Sequence, residues 1–395
     1  MNNKVIVNND SAKDWVGIWL LIGLAWLALG VAYIPVNKIY QQGVAIFFYV
    51  PMVILLWRDR SFFIELLSKN KVFFALFFLI LGYAEINSLF RNDLSTLKHP
   101  IYVALFVLSG GWIAAANKLA AIREKVLYFI LFGIALICTV SIVLFFLHSE
   151  NIVTSRLAGV LKINHVILGS YYVAFYLFCC VVLAADRKEY RWLPVIVVIA
   201  AFILFAQSRG AYLSLVVALA SYFLFFVKKT KSRLLIAGLI CCGMVFLAIT
   251  YKHGIMRSGL SYRPEIFQAS IELALQNFWF GQGIDVSYRV YTDNYAEGFL
   301  HSHNLLTHIF IELGIIGAVL FLLLWCYAFY FCYKNKHLFI ARFACVWFVY
   351  SFVAFQTDVA SFIAQPRLEW IVCWVPLCLV VAVMGQLLSL EKAQH

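Results

Sequence analysis

Along most of the chain, apolar residues run in windows of roughly 15 to 25 with almost no charge between them, separated by short polar breaks. Twelve such windows begin near Trp15, Tyr40, Val72, Pro100, Val126, Val166, Leu193, Ala211, Leu234, Leu305, Arg342 and Ile371. They are too long and too continuously apolar for barrel strands, and backbone groups in hydrocarbon must satisfy one another, so each window predicts a helix. One break is different. Roughly fifty residues separate the windows at Leu234 and Leu305, and inside them Phe267, Ile271, Ala274, Leu275 and Phe278 recur at helical spacing, with Glu265, Gln268, Glu272 and Gln276 between. That pattern predicts an amphipathic helix of about fourteen residues lying on the bundle or in the interface, started at Pro264 and ended by Gly281 and Gly283. The chain thus divides into helices over 1–250, a loop over 251–304 and further helices over 305–395.

Composition changes the picture by fixing the solvent. With 64% hydrophobic and only 13% charged residues, a chain of 395 residues has too little charge to cover its apolar surface in water. The expected fold is therefore an all-α polytopic integral membrane protein of about twelve spans, with its long loop before the tenth. Most of the 31 Lys and Arg residues fall in the N-terminal tail and in alternate loops, such as `RDRSFFIELLSKNK` and `KKTKSR`. The positive-inside rule makes that face cytoplasmic, with both termini inside and the long loop outside. The net charge of +12 is then a mark of topology, and no nucleic-acid partner is expected. The polar `MNNKVIVNNDSAKDW` before the first window predicts no cleavable signal peptide. All ten cysteines fall in apolar windows with no CxxC, which suits packing better than disulfides.

The outer face carries the chemistry-bearing residues. Arg209 in `AQSRGAY` sits in a connection of about four residues, and Arg263 in `YRPEIF` heads the amphipathic helix. Arg156 and Asn164 lie in `SRLAGVLKINH`, and His301, His303 and Asn304 in `HSHN`. An arginine at a span end also snorkels to headgroups, so each taken alone keeps that second reading. As a pair, Arg209 and Arg263 suit the bidentate grip of a diphosphate and the charge that develops when it leaves. His303 can accept a proton from a hydroxyl near neutral pH, or can equally be a satisfied interfacial histidine. Asn304 can contact a sugar or cap the helix beginning at Leu305. His301, His303 and His308 have no carboxylate at ligand spacing, so no metal is expected. Apart from Glu312 and Glu85, the windows lack ionisable groups of the kind that ion-coupled transporters use as relays, and no Walker motif is present.

Three strings together resemble the O-antigen ligase family. `HNLLTHIFIELGIIG` fits a histidine–asparagine pattern followed, after nine residues, by Gly314 and Gly317; `SRGAYLSL` looks like the family's SRG motif; `RLAGVLKINH`, through Arg156, Gly159 and Asn164, is similar to a third. Their order, the long loop and the span pattern also agree, so the resemblance covers the chain from about Arg156 to Gly317 and loosely the whole topology. It implies a GT-C-like membrane fold that needs no cofactor, metal or ATP. It further implies transfer of a polysaccharide from undecaprenyl diphosphate to a sugar of lipid A-core on the periplasmic face of the inner membrane, with inversion. His303 would be the base or the group orienting the acceptor hydroxyl. Arg209 and Arg263 would hold the diphosphate, with Arg156, Asn164, His301 and Asn304 as substrate-binding neighbours. Glycan polymerases and O-linking protein oligosaccharyltransferases share this layout, and a transporter of lipid-linked glycan is a more distant alternative.

Overall fold

The computed structural model describes residues 14–90, 96–149, 155–226, 230–231, 234, 237–238, 240–241, 243–245, 262–293, 295–359 and 361–394. Eight helices among them are long and apolar enough to cross a membrane: Trp15–Tyr33, Asn37–Arg58, Lys71–Phe90, Asn117–His148, Val166–Asp186, Leu305–Lys334, Phe339–Asp358 and Val375–Gln394. Every predicted start in the described residues falls on a helix, but the single turn Trp370–Cys373 and the helices Lys98–Ala115, Leu193–Ala206 and Arg209–Phe225 are not among the eight. The last two have 14 and 17 residues, which at 1.5 Å per residue gives about 21 and 26 Å, short of a hydrocarbon core of about 30 Å. The window near Leu234 lies largely outside the described residues.

Small residues set how closely the helices approach. Lys98–Ala115 packs along Val375–Gln394, and a Cβ on Gly385 would strike the Gly111 carbonyl, while one on Gly110 would strike Cys378. Close backbone approach at such residues replaces the hydrophobic drive that lipid does not supply. Val166–Asp186 is the most enclosed of the eight spans, surrounded by Trp347, Tyr350 and other aromatic rings. The described cysteines are unpaired and mostly buried among these side chains.

The long loop contains the predicted helix, at Arg263–Leu275 with Pro264 in its first turn. Its packed face overlaps the predicted apolar stripe only at the buried Ala274 and the half-buried Ile271. Ile266, Ser270 and Ala274 are buried against the neighbouring helix Leu305–Lys334, whereas Phe267 and Leu275 are exposed. In a soluble protein the bulkier stripe would turn inward; beside lipid an exposed apolar stripe carries no such penalty. The loop also contains two short strands, Val290–Thr292 and Tyr295–Phe299, paired antiparallel. An all-helical reading missed them, because strands of three and five residues leave no periodic signal in the sequence.

The loop is fastened by a break in the helix Leu305–Lys334. Gly314 has φ +65° and ψ −170°, which interrupts the helical ladder. The strand of loop around Phe278–Gly283 takes up the released groups: Gln282 N donates to Ile311 O (2.7 Å), Gly283 N to Glu312 O (2.9 Å), and Ile315 N to Phe278 O (2.8 Å). A Cβ at Gly314 would collide with the Trp279 carbonyl. From the helix Lys71–Phe90, Asn87 Nδ2 reaches Phe280 O (2.7 Å) and Tyr83 Oη reaches Leu313 O (2.9 Å). The two glycines of the sequence motif thus include one whose conformation no other residue adopts cheaply.

Candidate active site

His303 lies one residue before the cap of the helix Leu305–Lys334, with φ +51°, an uncommon conformation for a residue with a side chain. Its Nδ1 is 2.6 Å from Asp358 Oδ1, at the end of the helix Phe339–Asp358. An ionised carboxylate only accepts, so Nδ1 carries a proton, and a neutral ring then has its lone pair on Nε2. Asp358 is buried, while the His303 side chain keeps 27% of its surface accessible. The pair therefore has one protected side and one open side. Asp358 was not foreseen: 55 residues separate it from His303, and no motif joins them.

His301 sits across the same turn, its ring centroid 4.0 Å from that of His303. Burial, and next the neighbouring His303, push its pKa down to about 4, so the ring is neutral at pH 7. Its Nδ1 is buried without a hydrogen-bond partner among the described residues. Asn304 is occupied on both sides. Its Oδ1 accepts from Leu306 N (2.9 Å) and Thr307 N (3.2 Å), and its Nδ2 donates to Gln356 Oε1 (2.8 Å). Of the two roles its position allowed, the structure displays the cap.

The arginines meet at the same end of the bundle. Gln207, with φ +50°, turns the chain into the helix Arg209–Phe225, and Gln207 Nε2 and Phe205 O bind the 155–157 segment. Arg156 Nε donates to Ala206 O (3.2 Å). A Cβ on Gly210 would lie 2.6 Å from Tyr171 Oη and 2.7 Å from Thr357 Oγ1, so Arg209 starts its helix beside the Thr357–Asp358 terminus. Arg156 is held below its ordinary pKa range, first by desolvation and next by the charge of Arg209; Arg263 adds to the shift, while Tyr212 and Asp358 oppose it. Arg263 Nη1 is buried without a hydrogen-bond partner among the described residues. Two guanidinium groups close enough to disfavour the charge of Arg156, together with the orphaned donor of Arg263, suit a polyanionic ligand. Asn164 is exposed at the end of the turn Leu161–Asn164.

A second network that the sequence did not reveal backs the histidine turn. Glu312 Oε1 accepts from Asp285 N (2.9 Å), and Glu312 Oε2 lies 3.3 Å from His308 Nε2. His308 Nδ1 meets Tyr288 Oη at 2.7 Å, and Tyr288 Oη accepts from Ser302 N (3.3 Å). Glu312 and His308 are buried, so each needs the other. This intramembrane carboxylate is locally satisfied, as a structural anchor would be.

These features define a class: a helical membrane protein whose concentrated polar site, a histidine–aspartate pair beside three arginines, is built from helix ends and a long loop. Comparison with known proteins adds what the chain is similar to. Residues 194–322 match the family model described as O-Antigen ligase. Over 297 residues the chain is 26% identical to the O-antigen ligase of Pseudomonas aeruginosa, an alignment covering 74% of this chain and 72% of that relative. The resemblance to the O-antigen ligase family, drawn above from three short motifs, stands. The matched stretch contains Arg209, Arg263 and His303, while Arg156 and Asp358 lie outside it.

Proposed function

We propose that the protein is an O-antigen ligase, a glycosyltransferase that moves polysaccharide from undecaprenyl diphosphate to a sugar hydroxyl of lipid A-core. The observation that carries this reading is the His303–Asp358 pair, 2.6 Å apart, standing beside the Arg209 helix start. In the proposed reaction the acceptor hydroxyl binds His303 Nε2, which takes its proton as oxygen attacks the anomeric carbon. Asp358 keeps the proton on Nδ1 and stabilises the imidazolium that forms. Arg209 and Arg263, with Arg156 nearby, hold the diphosphate and offset its growing charge as the glycosyl bond breaks. Attack opposite the leaving group gives inversion. The scheme draws on no nucleotide or metal, since the diphosphate is itself the activated leaving group.

The site would lie on the periplasmic face of the inner membrane, with both termini cytoplasmic, as the lysine and arginine bias indicates. The exposed Phe267, Leu275, Trp279 and Phe280 would border the path of the prenyl chain. The test uses cells lacking the gene, complemented with wild type or His303→Ala, in which surface lipopolysaccharide and carrier-linked glycan are compared. Loss of long glycan from lipid A-core with polymer retained on the carrier, restored by wild type alone, is the expected result. Single repeats still reaching the core while long chains vanish would make the protein a polymerase. Unchanged pools in the deletion would overturn transfer to lipid A-core.

A further inference from the structure

His301, His303 and Asp358 each offer a ligand atom, and these atoms lie within 4.8 Å of one another. No other such group of three occurs among the described His, Cys, Asp and Glu residues. Two features of the fold bring it about. The left-handed backbone at His303 brings rings two residues apart close together, with centroids at 4.0 Å and planes tilted by 59°. The end of the helix Phe339–Asp358 then delivers the carboxylate to His303 Nδ1. His301 Nδ1 has no hydrogen-bond partner to give up among the described residues.

We propose that His301, His303 and Asp358 bind a borderline divalent transition-metal ion such as Zn²⁺, and that its binding switches the transfer site off. Two imidazoles and one carboxylate are a zinc-type set, with a fourth position left for water, whereas Mg²⁺ and Ca²⁺ ask for oxygen ligands. On a tetrahedral ion with bonds of about 2.0–2.1 Å, neighbouring ligand atoms stand roughly 3.3 Å apart. The His303–Asp358 pair must therefore open by about 0.7 Å and His301 must close in, movements within reach of side-chain rotation.

The consequence for transfer rests on the proposed role of His303 as base. An ion on Nδ1 takes the lone pair there, and the single proton of the neutral ring moves from Nδ1 to Nε2. Asp358 exchanges a hydrogen bond for a metal bond. No proton is gained or lost, yet Nε2 no longer has a lone pair to receive the acceptor proton.

The test uses the full chain without a polyhistidine tag, purified in detergent, treated with chelator, and titrated with Co²⁺ by visible absorption and with Zn²⁺ by calorimetry. One ion per chain is expected, with binding weakened at least tenfold in His301→Ala and in Asp358→Asn, and unchanged in His148→Ala, an exposed histidine elsewhere. Zn²⁺ should inhibit transfer by the wild-type protein, and chelator should reverse it. Absence of binding, or equal binding by wild type and both site variants, overturns the site. Transfer abolished by chelator and restored by Zn²⁺ overturns the switch, since the ion would then assist the reaction. Binding is read without any reaction, so a protein that holds one ion through these residues yet transfers no glycan in metal-free buffer supports the site and overturns the proposed function.

Discussion

His303 is the residue on which the proposed chemistry turns, and in that proposal its two nitrogens have different tasks. Nδ1 faces the buried Asp358 and Nε2 is left for the acceptor. Asp358→Asn would keep the shape but allow the wrong tautomer, so transfer is expected to fall about a hundredfold or more with acceptor KM little changed. Steady-state transfer by purified protein checks this; a variant as fast as wild type would remove Asp358 from the mechanism. At the arginines the expected signature is different. Arg263→Lys keeps the charge but loses the planar fork, and a donor KM raised more than kcat is lowered would mark a ground-state grip on diphosphate.

At the scale of elements, the loop and the broken helix form one unit. Gly314 at φ +65° faces the Trp279 carbonyl, so Gly314→Ala combines backbone strain with a collision and should cost about 1–3 kcal/mol or more. Gly82, in the helix Lys71–Phe90, has nothing within 4 Å of the place a methyl group would take. Gly82→Ala should therefore be neutral or stabilise by about 0.5–1 kcal/mol, which makes it the matched control. Thermal unfolding in detergent distinguishes the two. Asn304→Ala, which removes the cap from the same helix and the bond to Gln356, should cost about 1 kcal/mol and displace the adjoining His303.

Across the whole molecule, distant helices are tied at the end away from the site. Asp14 accepts from Gly17 N (3.0 Å) and from Arg58 (2.9 Å), while Arg58 also holds Asp59, whose carboxylate accepts from Trp112 Nε1 (2.7 Å). Burial alone would raise the Asp14 pKa, but hydrogen bonds from Arg58 and Gly17 and the charges of Arg58 and Lys118 outweigh it and leave the value lowered. A depressed folded-state pKa stabilises above the unfolded value of about 3.9 and loses that contribution as pH falls through the folded value. Asp14→Asn should therefore unfold at lower temperature than wild type at pH 7, with the gap closing only in strong acid. A gap that closes already near pH 6 would assign the linkage to other groups.

The sequence by itself determined the solvent, where most of the helices run and the membrane class, because lipid acts on every apolar window independently of the rest of the chain. It also singled out Arg209, Arg263 and His303, since short motifs are contiguous in the chain. Only the tertiary structure decided that Asp358 meets His303, that Asn304 is spent on a cap, that Ile266 rather than Phe267 turns inward, and that Gly314 breaks its helix to seat the loop. Hydrophobic periodicity says that a face will be buried somewhere but not against what. A partner 55 residues away is chosen by how helix ends come together, and that depends on the packing of the whole bundle.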